Sequence, residues 1–334
     1  MRRVLLFVIV LALLIGGAIW WERNNFFAAG PSAEGAVVLI EPGDHASIIA
    51  EKLERAGIIQ NAALFNLGLR IRNQQSALKA GEYWFPPHVS MASAAGIMIS
   101  GKSILHKLTA AEGLTSAMIY DLVRTNAVLT GDPGAVPPEG SLLPETYLFT
   151  RGMTRAHLLS LMHQAQAKFL KAHWGERAAN LPYTTPEQAL ILASIVEKET
   201  ALPSERRHIA SVFVNRLRLG MKLESDPTII YGITQGYPLG RRIYQSEITA
   251  PTPYNTYVIA GLPPTPICNP GKDSILAVLN PSNSNDLYFV ADGTGGHAFA
   301  ATLADQNRNV ARWRAIHNPR PPAKPKPERP RHKR

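Results

Sequence analysis

The residues best suited to chemistry in this chain are two glutamates, Glu197 and Glu199, which flank Lys198 at the end of the apolar run 189–196 (ALILASIV). A carboxyl at the end of a buried helix is costly unless it is exposed, paired or used, because burial disfavours its charged form. The use that suits it is general-acid catalysis, in which a neutral carboxylic acid gives its proton to a leaving group. At about 100° per residue the two side chains point roughly 200° apart and cannot line one site. Ala189, Leu192, Ala193, Val196 and Thr200 define the main apolar face. Glu199 falls between Ile195 and Leu192, about 70° from the centre of that face. Glu197 falls beside Leu190 and Ala193, about 90° away and nearer the polar strip of Glu187, Ser194 and Lys198. Helical geometry favours Glu199 by a thin margin. A surface ion-pair network is the commoner reason for such a helix end, and that reading stays open.

The helix that must position these acids has a clear start. Thr185, Pro186 and Gln188 supply an N-cap, a proline at the first helical position and the third residue of a capping box. Leu202-Pro203 stops the helix, and Ser204 is expected to cap the next, which carries Ile209, Val212, Phe213 and Leu217 and ends at Gly220. A further helix is expected over 154–173, with Leu158, Leu161, Met162, Ala165 and Phe169 on one face. Nearer the N-terminus, Val37–Ile40, Glu41-Pro42-Gly43 and a stretch with Ile48, Ile49 and Leu53 read as strand, turn and helix. The same order recurs 70 residues on, through Ile104–Leu108, Glu112-Gly113 and Met118, Ile119 and Val123. Between them lie an expected helix over 62–72 and a turn into a strand over 79–85.

The ends of the chain bound where it works. Residues 4–21 are apolar and uncharged, with Arg2 and Arg3 before them and Trp20 and Trp21 closing them. About 18 helical residues nearly cover a ~30 Å hydrocarbon core, and leading arginines favour a cytoplasmic start. A cleaved signal peptide competes, but the run exceeds the ~7–15 residues of a signal core. Either reading exports the protein. Of the net charge of +10, a net +8 sits at the two ends, in Arg2, Arg3 and the Pro/Lys/Arg tail 320–334. The part between is almost neutral, which removes the basic-patch case for nucleic acid. The tail lacks apolar periodicity and is expected to be disordered. The resulting organisation is an anchor over 1–23, a linker over 24–35, a first domain over 36–131, a second over 132–319, and the tail. The single cysteine, Cys268, stands among prolines and reads as structural. The ten histidines include no H-E-x-x-H or H-x-x-E-H spacing, so neither a metal nor another cofactor is expected.

At the acid-bearing helix the sequence resembles a known family. The segments 193–200 (ASIVEKET), 204–206 (SER), 212–217 (VFVNRL), 225–232 (SDPTIIYG), 253–257 (PYNTY), 261–264 (GLPP), 269–271 (NPG) and 288–292 (YFVAD), running on to 296–299 (GHAF), are similar in order to those of the endolytic murein transglycosylases, the YceG-like family. Departures include Ser141, Leu143 and Glu145 in 139–147, Thr265 in place of a glycine, and Asp305-Gln306-Asn307. The resemblance implies an α+β chain: a transmembrane helix, a small LysM-like domain and a larger mixed catalytic domain. It also implies that Glu199, the second acid of the pair, is catalytic. The implied reaction cleaves the β-1,4 bond between N-acetylmuramic acid and N-acetylglucosamine in peptidoglycan without water. Implied partners are glycan strands and peptidoglycan synthases. The implied place is the bacterial cytoplasmic membrane, with the catalytic domain outside it. Asp226, Thr228, Tyr231, Tyr254, Asn255, Tyr257 and His297 are the candidate sugar-holding groups, although turn-capping and structural hydrogen bonds explain several of them equally well. Two other functions stay open: a non-catalytic wall-binding scaffold, and a muramidase that hydrolyses the same bond.

Overall fold

The computed structural model describes residues 2–317, and the basic tail expected to be disordered lies outside them. The chain is mixed α+β. In order it forms α1 (Arg2–Phe27), β1 (Ala36–Ile40), α2 (Ala46–Arg55), α3 (Ala62–Ile71), β2 (Gly81–Phe85), α4 (Met91–Ser100), β3 (Leu105–Thr109), α5 (Ser116–Thr125) and β4 (Thr146–Thr150). There follow α6 (Arg155–Trp174), α7 (Pro186–Glu199), α8 (Pro203–Arg218), α9 (Asp226–Thr234), α10 (Gln245–Ile248), α11 (Lys272–Leu279), β5 (Tyr288–Ala291), β6 (His297–Ala300) and α12 (Leu303–His317). The strands pair as three two-stranded sheets, β1 with β2, β3 with β4 and β5 with β6. Two compact units result. Among the described residues the first comprises those up to Leu108, Asn126–Asp132 and Tyr147–Arg155, and the second holds the others.

In the first unit α1 is, among the described residues, the one helix long and apolar enough to cross a membrane. It runs four residues past the end expected for the anchor, into the segment read as a linker. Phe26 explains this extension. Its ring is fully buried in the unit's core beside Phe65, and the Arg72 guanidinium lies 4.1 Å from the ring centroid while pairing with Glu22 at 2.7 Å. The expected repeat is visible in the elements. Helices α2 and α5 start 70 residues apart, and Gly43 and Gly113 both take left-handed φ angles, +95° and +76°, in the turns that precede them. Such angles are costly for any residue with a Cβ.

The second unit is built around α7, α8 and α11, whose Leu192, Val196, Ile209, Phe213, Ile275 and Val278 share one core. The expected capping box is present. The Thr185 hydroxyl accepts from the Gln188 N–H, and the Gln188 side chain accepts from the Thr185 N–H. From Ile191 to Val196 every residue is buried, so the helix is enclosed on nearly its whole circumference. The next helix departs from expectation. Its N-cap is Leu202, not Ser204, because Pro203 is pre-set for the first helical turn and the Leu202 N–H is already satisfied by the Thr200 hydroxyl at 3.0 Å. Cys268 is fully buried against the Ser194 carbonyl, and burial pushes its thiol well up, which leaves it a structural residue.

Candidate active site

The two glutamates of α7 meet different surroundings. Glu197 is answered by positive charge and a backbone donor. Its side chain, 6% exposed, lies 3.7 Å from the Arg206 guanidinium and accepts from the Gly271 N–H at 3.0 Å. Arg206 also binds Glu112 and Asp273, each at 3.2 Å. Glu197 therefore belongs to the ion-pair network that sequence reasoning offered as the ordinary explanation of this helix end.

Glu199 has no such partner as its close contact. Among the described residues its one direct side-chain hydrogen bond comes from the Ser225 hydroxyl, which donates to Oε1 at 2.5 Å. The residue keeps some accessible surface, yet desolvation of its carboxyl dominates and pushes it up from 4.5 to about 7. The Ser225 hydrogen bond, His297 and Arg216 pull it down, while the negative charge of Asp226 pushes it further up. As the last residue of α7, Glu199 also faces the negative end of the helix dipole, which disfavours an anion.

The segment that carries Ser225 is tightly held. Arg216, buried on α8, donates to the Lys222 and Leu223 carbonyls at 3.0 Å and to the Leu287 carbonyl at 2.7 Å, and it pairs with Glu224 at 3.0 Å. Glu224 sits at φ +53°, and the Ser225 N–H donates to the Thr256 hydroxyl at 2.9 Å. Opposite, the β5–β6 hairpin presents His297. Glu205, from the first turn of α8, accepts from its N–H at 2.8 Å and lies 2.7 Å from its Nδ1. Asp226 is exposed and accepts from the Tyr257 hydroxyl at 2.7 Å. Glu199 is thus flanked by Ser225, Asp226, Tyr257 and His297.

The other sequence candidates are placed differently. Thr228 is fully buried and donates to the Ser225 carbonyl, with Thr256 beside it at 2.9 Å. Asn255 is buried and its amide donates to the carbonyls of Glu247, Ile248 and Ala250. Both knit loops together and present no open polar face, so the structural alternative explains them. Tyr231 is buried and donates to Glu139, while its ring meets that of Tyr254 edge-on at 4.9 Å. The Tyr254 hydroxyl lies 2.7 Å from that of Thr265. Sequence reasoning missed Ser225, Glu205 and Arg216 as residues around Glu199. The one cue to Ser225 was its place before Asp226-Pro227, which read as an ordinary turn.

Ser225→Ala is expected to raise the titration midpoint of Glu199 by about one unit, since a hydrogen bond to a carboxylate contributes about 1.5–3 kcal/mol before solvent screening. NMR titration of isotope-labelled glutamate carboxyls would read it. An unchanged midpoint would mean that the hydroxyl does not hold the carboxylate.

A carboxyl raised by burial to about 7, held by one hydroxyl and flanked by Asp226, a tyrosine and a histidine, defines a candidate general-acid site on a mixed α+β scaffold. The comparisons agree on one lineage. The profile of the YceG-like family matches residues 38–312. The chain belongs to the YceG-like family. The endolytic murein transglycosylases of two Streptococcus pneumoniae strains are 30% identical over 329 residues, covering 84% of this chain and 58% of their own length. That of Bacillus subtilis is 35% identical over 173 residues, covering 52% of this chain and 47% of its own. The chain thus spans less than two thirds of the length of these relatives. The crystal structure of a YceG-like protein from Listeria monocytogenes superposes with a TM-score of 0.51 at 28% identity, covering 83% of this chain and 99% of that one.

Proposed function

We propose that the protein is an endolytic murein transglycosylase that cuts peptidoglycan glycan strands outside the bacterial cytoplasmic membrane, with Glu199 as general acid and then general base. The observation that carries this reading is the carboxyl of Glu199, raised by burial to about 7 and, among the described residues, without an ion-pair partner, unlike Glu197. With Oε1 accepting from Ser225, a proton carried on Oε2 would be the one passed to the leaving oxygen. As the bond from C1 of N-acetylmuramic acid to O4 of N-acetylglucosamine breaks, that proton passes to O4. The resulting carboxylate accepts the proton of the muramyl 6-hydroxyl while O6 bonds to C1. Glu199 ends neutral, no water is consumed, and the product carries a 1,6-anhydro end. One carboxylate serves both steps, whereas hydrolases more often use a pair at set separation. Asp226, Tyr257 and His297 would hold sugar. The first unit, read as LysM-like, would hold the strand, and α1 would span the membrane with its N-terminus inside. Glycan synthases, implied by family resemblance, should co-purify with the full chain from solubilised membranes; recovery of none would count against them.

Digestion of purified murein in heavy-oxygen water tests the reaction. New ends without heavy oxygen, detected by mass spectrometry, are expected. Its incorporation at the new ends would make the protein a muramidase, and uncut strands would leave a binding scaffold.

A further inference from the structure

We propose that α3 is an interfacial helix whose exposed apolar stripe, Ala63, Leu67 and Ile71, rests on the lipid surface beside the point where α1 leaves the bilayer. This rests on the reading of α1 as a membrane span.

The geometry begins with the contacts between the two helices. Leu64, Gly68 and Arg72, at i, i+4 and i+8, form the face of α3 turned to α1. Leu64 lines a cavity together with Trp21 and Asn25. Gly68 lies so close to Phe26 that an added Cβ would stand 2.2 Å from the ring. Arg72 pairs with Glu22 and stacks on Phe26 and Phe27. Along these three residues α3 advances about 12 Å, while the partners on α1 advance by only about two residues, or 3 Å. The helices therefore cross steeply. A span close to the bilayer normal, tilted by an average of about 20°, then lays α3 near the plane of the membrane. The crossing starts at Trp21, where an aromatic anchor marks the interface.

Phe65 and Leu69 point into the core of the first unit. Leu67 and Ile71, 47% and 59% exposed, point about 200° away from them. Ala63 continues the same stripe and is exposed. With the core on one side of a helix lying in the membrane plane, the opposite side faces lipid. Arg23 and Arg70 are exposed at its margin, the charge that suits anionic headgroups. The first unit is then fixed to the bilayer at two places and cannot swing on α1.

The test uses the full chain in vesicles of phosphatidylethanolamine and phosphatidylglycerol. A fluorophore is attached at Leu67→Cys, Ile71→Cys, Glu51→Cys or Ile15→Cys, with nitroxide carried on the lipids at known depth. Glu51 is an exposed position on α2. Shallow nitroxide should quench the probes at 67 and 71 several-fold more than the one at 51, and deep nitroxide should quench the probe at 15. Two positions guard against one substitution disturbing the fold. Quenching at 15 without it at 67 and 71 would overturn the proposal and leave the span intact. If those two probes were also shielded from aqueous iodide, a second copy of the chain would be the occupant. No quenching at 15 would overturn the span itself.

Discussion

Glu199→Gln is expected to lower strand cleavage by about 10²–10⁴-fold, the usual contribution of a positioned general acid, while making the protein more stable at alkaline pH. Both effects have one cause. Burial raises the carboxyl from 4.5 to about 7, so the folded protein binds this proton more tightly than the unfolded chain does. Its contribution to stability is complete below pH 4.5 and is lost as pH rises through about 7. The loss is of the order of 3 kcal/mol. Glutamine keeps the shape, accepts the Ser225 hydrogen bond and never ionises, so it escapes that loss. Urea unfolding at pH 5 and pH 9 checks it: the variant should exceed the parent at pH 9, and the gap should nearly close at pH 5. A gap independent of pH would mean that Glu199 does not titrate in this range.

Arg206→Met should destabilise the second unit by about 3–5 kcal/mol, the cost of stranding a buried charge. Arg206 is 7% exposed and faces three carboxylates, of which Glu197 is the most enclosed. Glu112 already has a raised pKa through desolvation and the repulsion of Glu197. Removing the guanidinium leaves these acids together without their cation. The double variant Arg206→Met, Glu197→Gln should recover part of the loss in urea unfolding. No recovery would place the cost in lost packing of the arginine stem.

Much of this scaffold is legible in sequence where the signals are local. Thr185, Pro186 and Gln188 announce the start of α7 because a capping box is made by residues three apart. The choice between Glu197 and Glu199 is different. A helical wheel sees only one helix, and it places both acids on the margin of the same apolar face. What separates them physically arrives from afar: Arg206 from α8, the Gly271 N–H, and Ser225 from the loop before α9. Family resemblance pointed to Glu199 without supplying that reason. Thr228 and Asn255 show the converse, since their side chains suit a sugar by type but are spent inside their loops. At α1, Asn24, Asn25 and the small residues 28–30 read as linker, and only Arg72 and Phe65, distant in sequence, draw Phe26 into the core. Helix α4 passed unread although Ser90 caps it and Gly101 ends it at φ +70°, because its Ala, Ser and Gly residues blur any apolar stripe.

The central claim is that Glu199, not its neighbour two residues away, is the acid that breaks the strand. The most direct measurement digests one preparation of murein with the full chain, with Glu199→Gln and with Glu197→Gln, and identifies the new ends by mass spectrometry. Anhydro-muramyl ends should form with the parent and with Glu197→Gln once its folding is verified, and should vanish with Glu199→Gln. Ends retained in Glu199→Gln but lost in a folded Glu197→Gln would contradict the assignment.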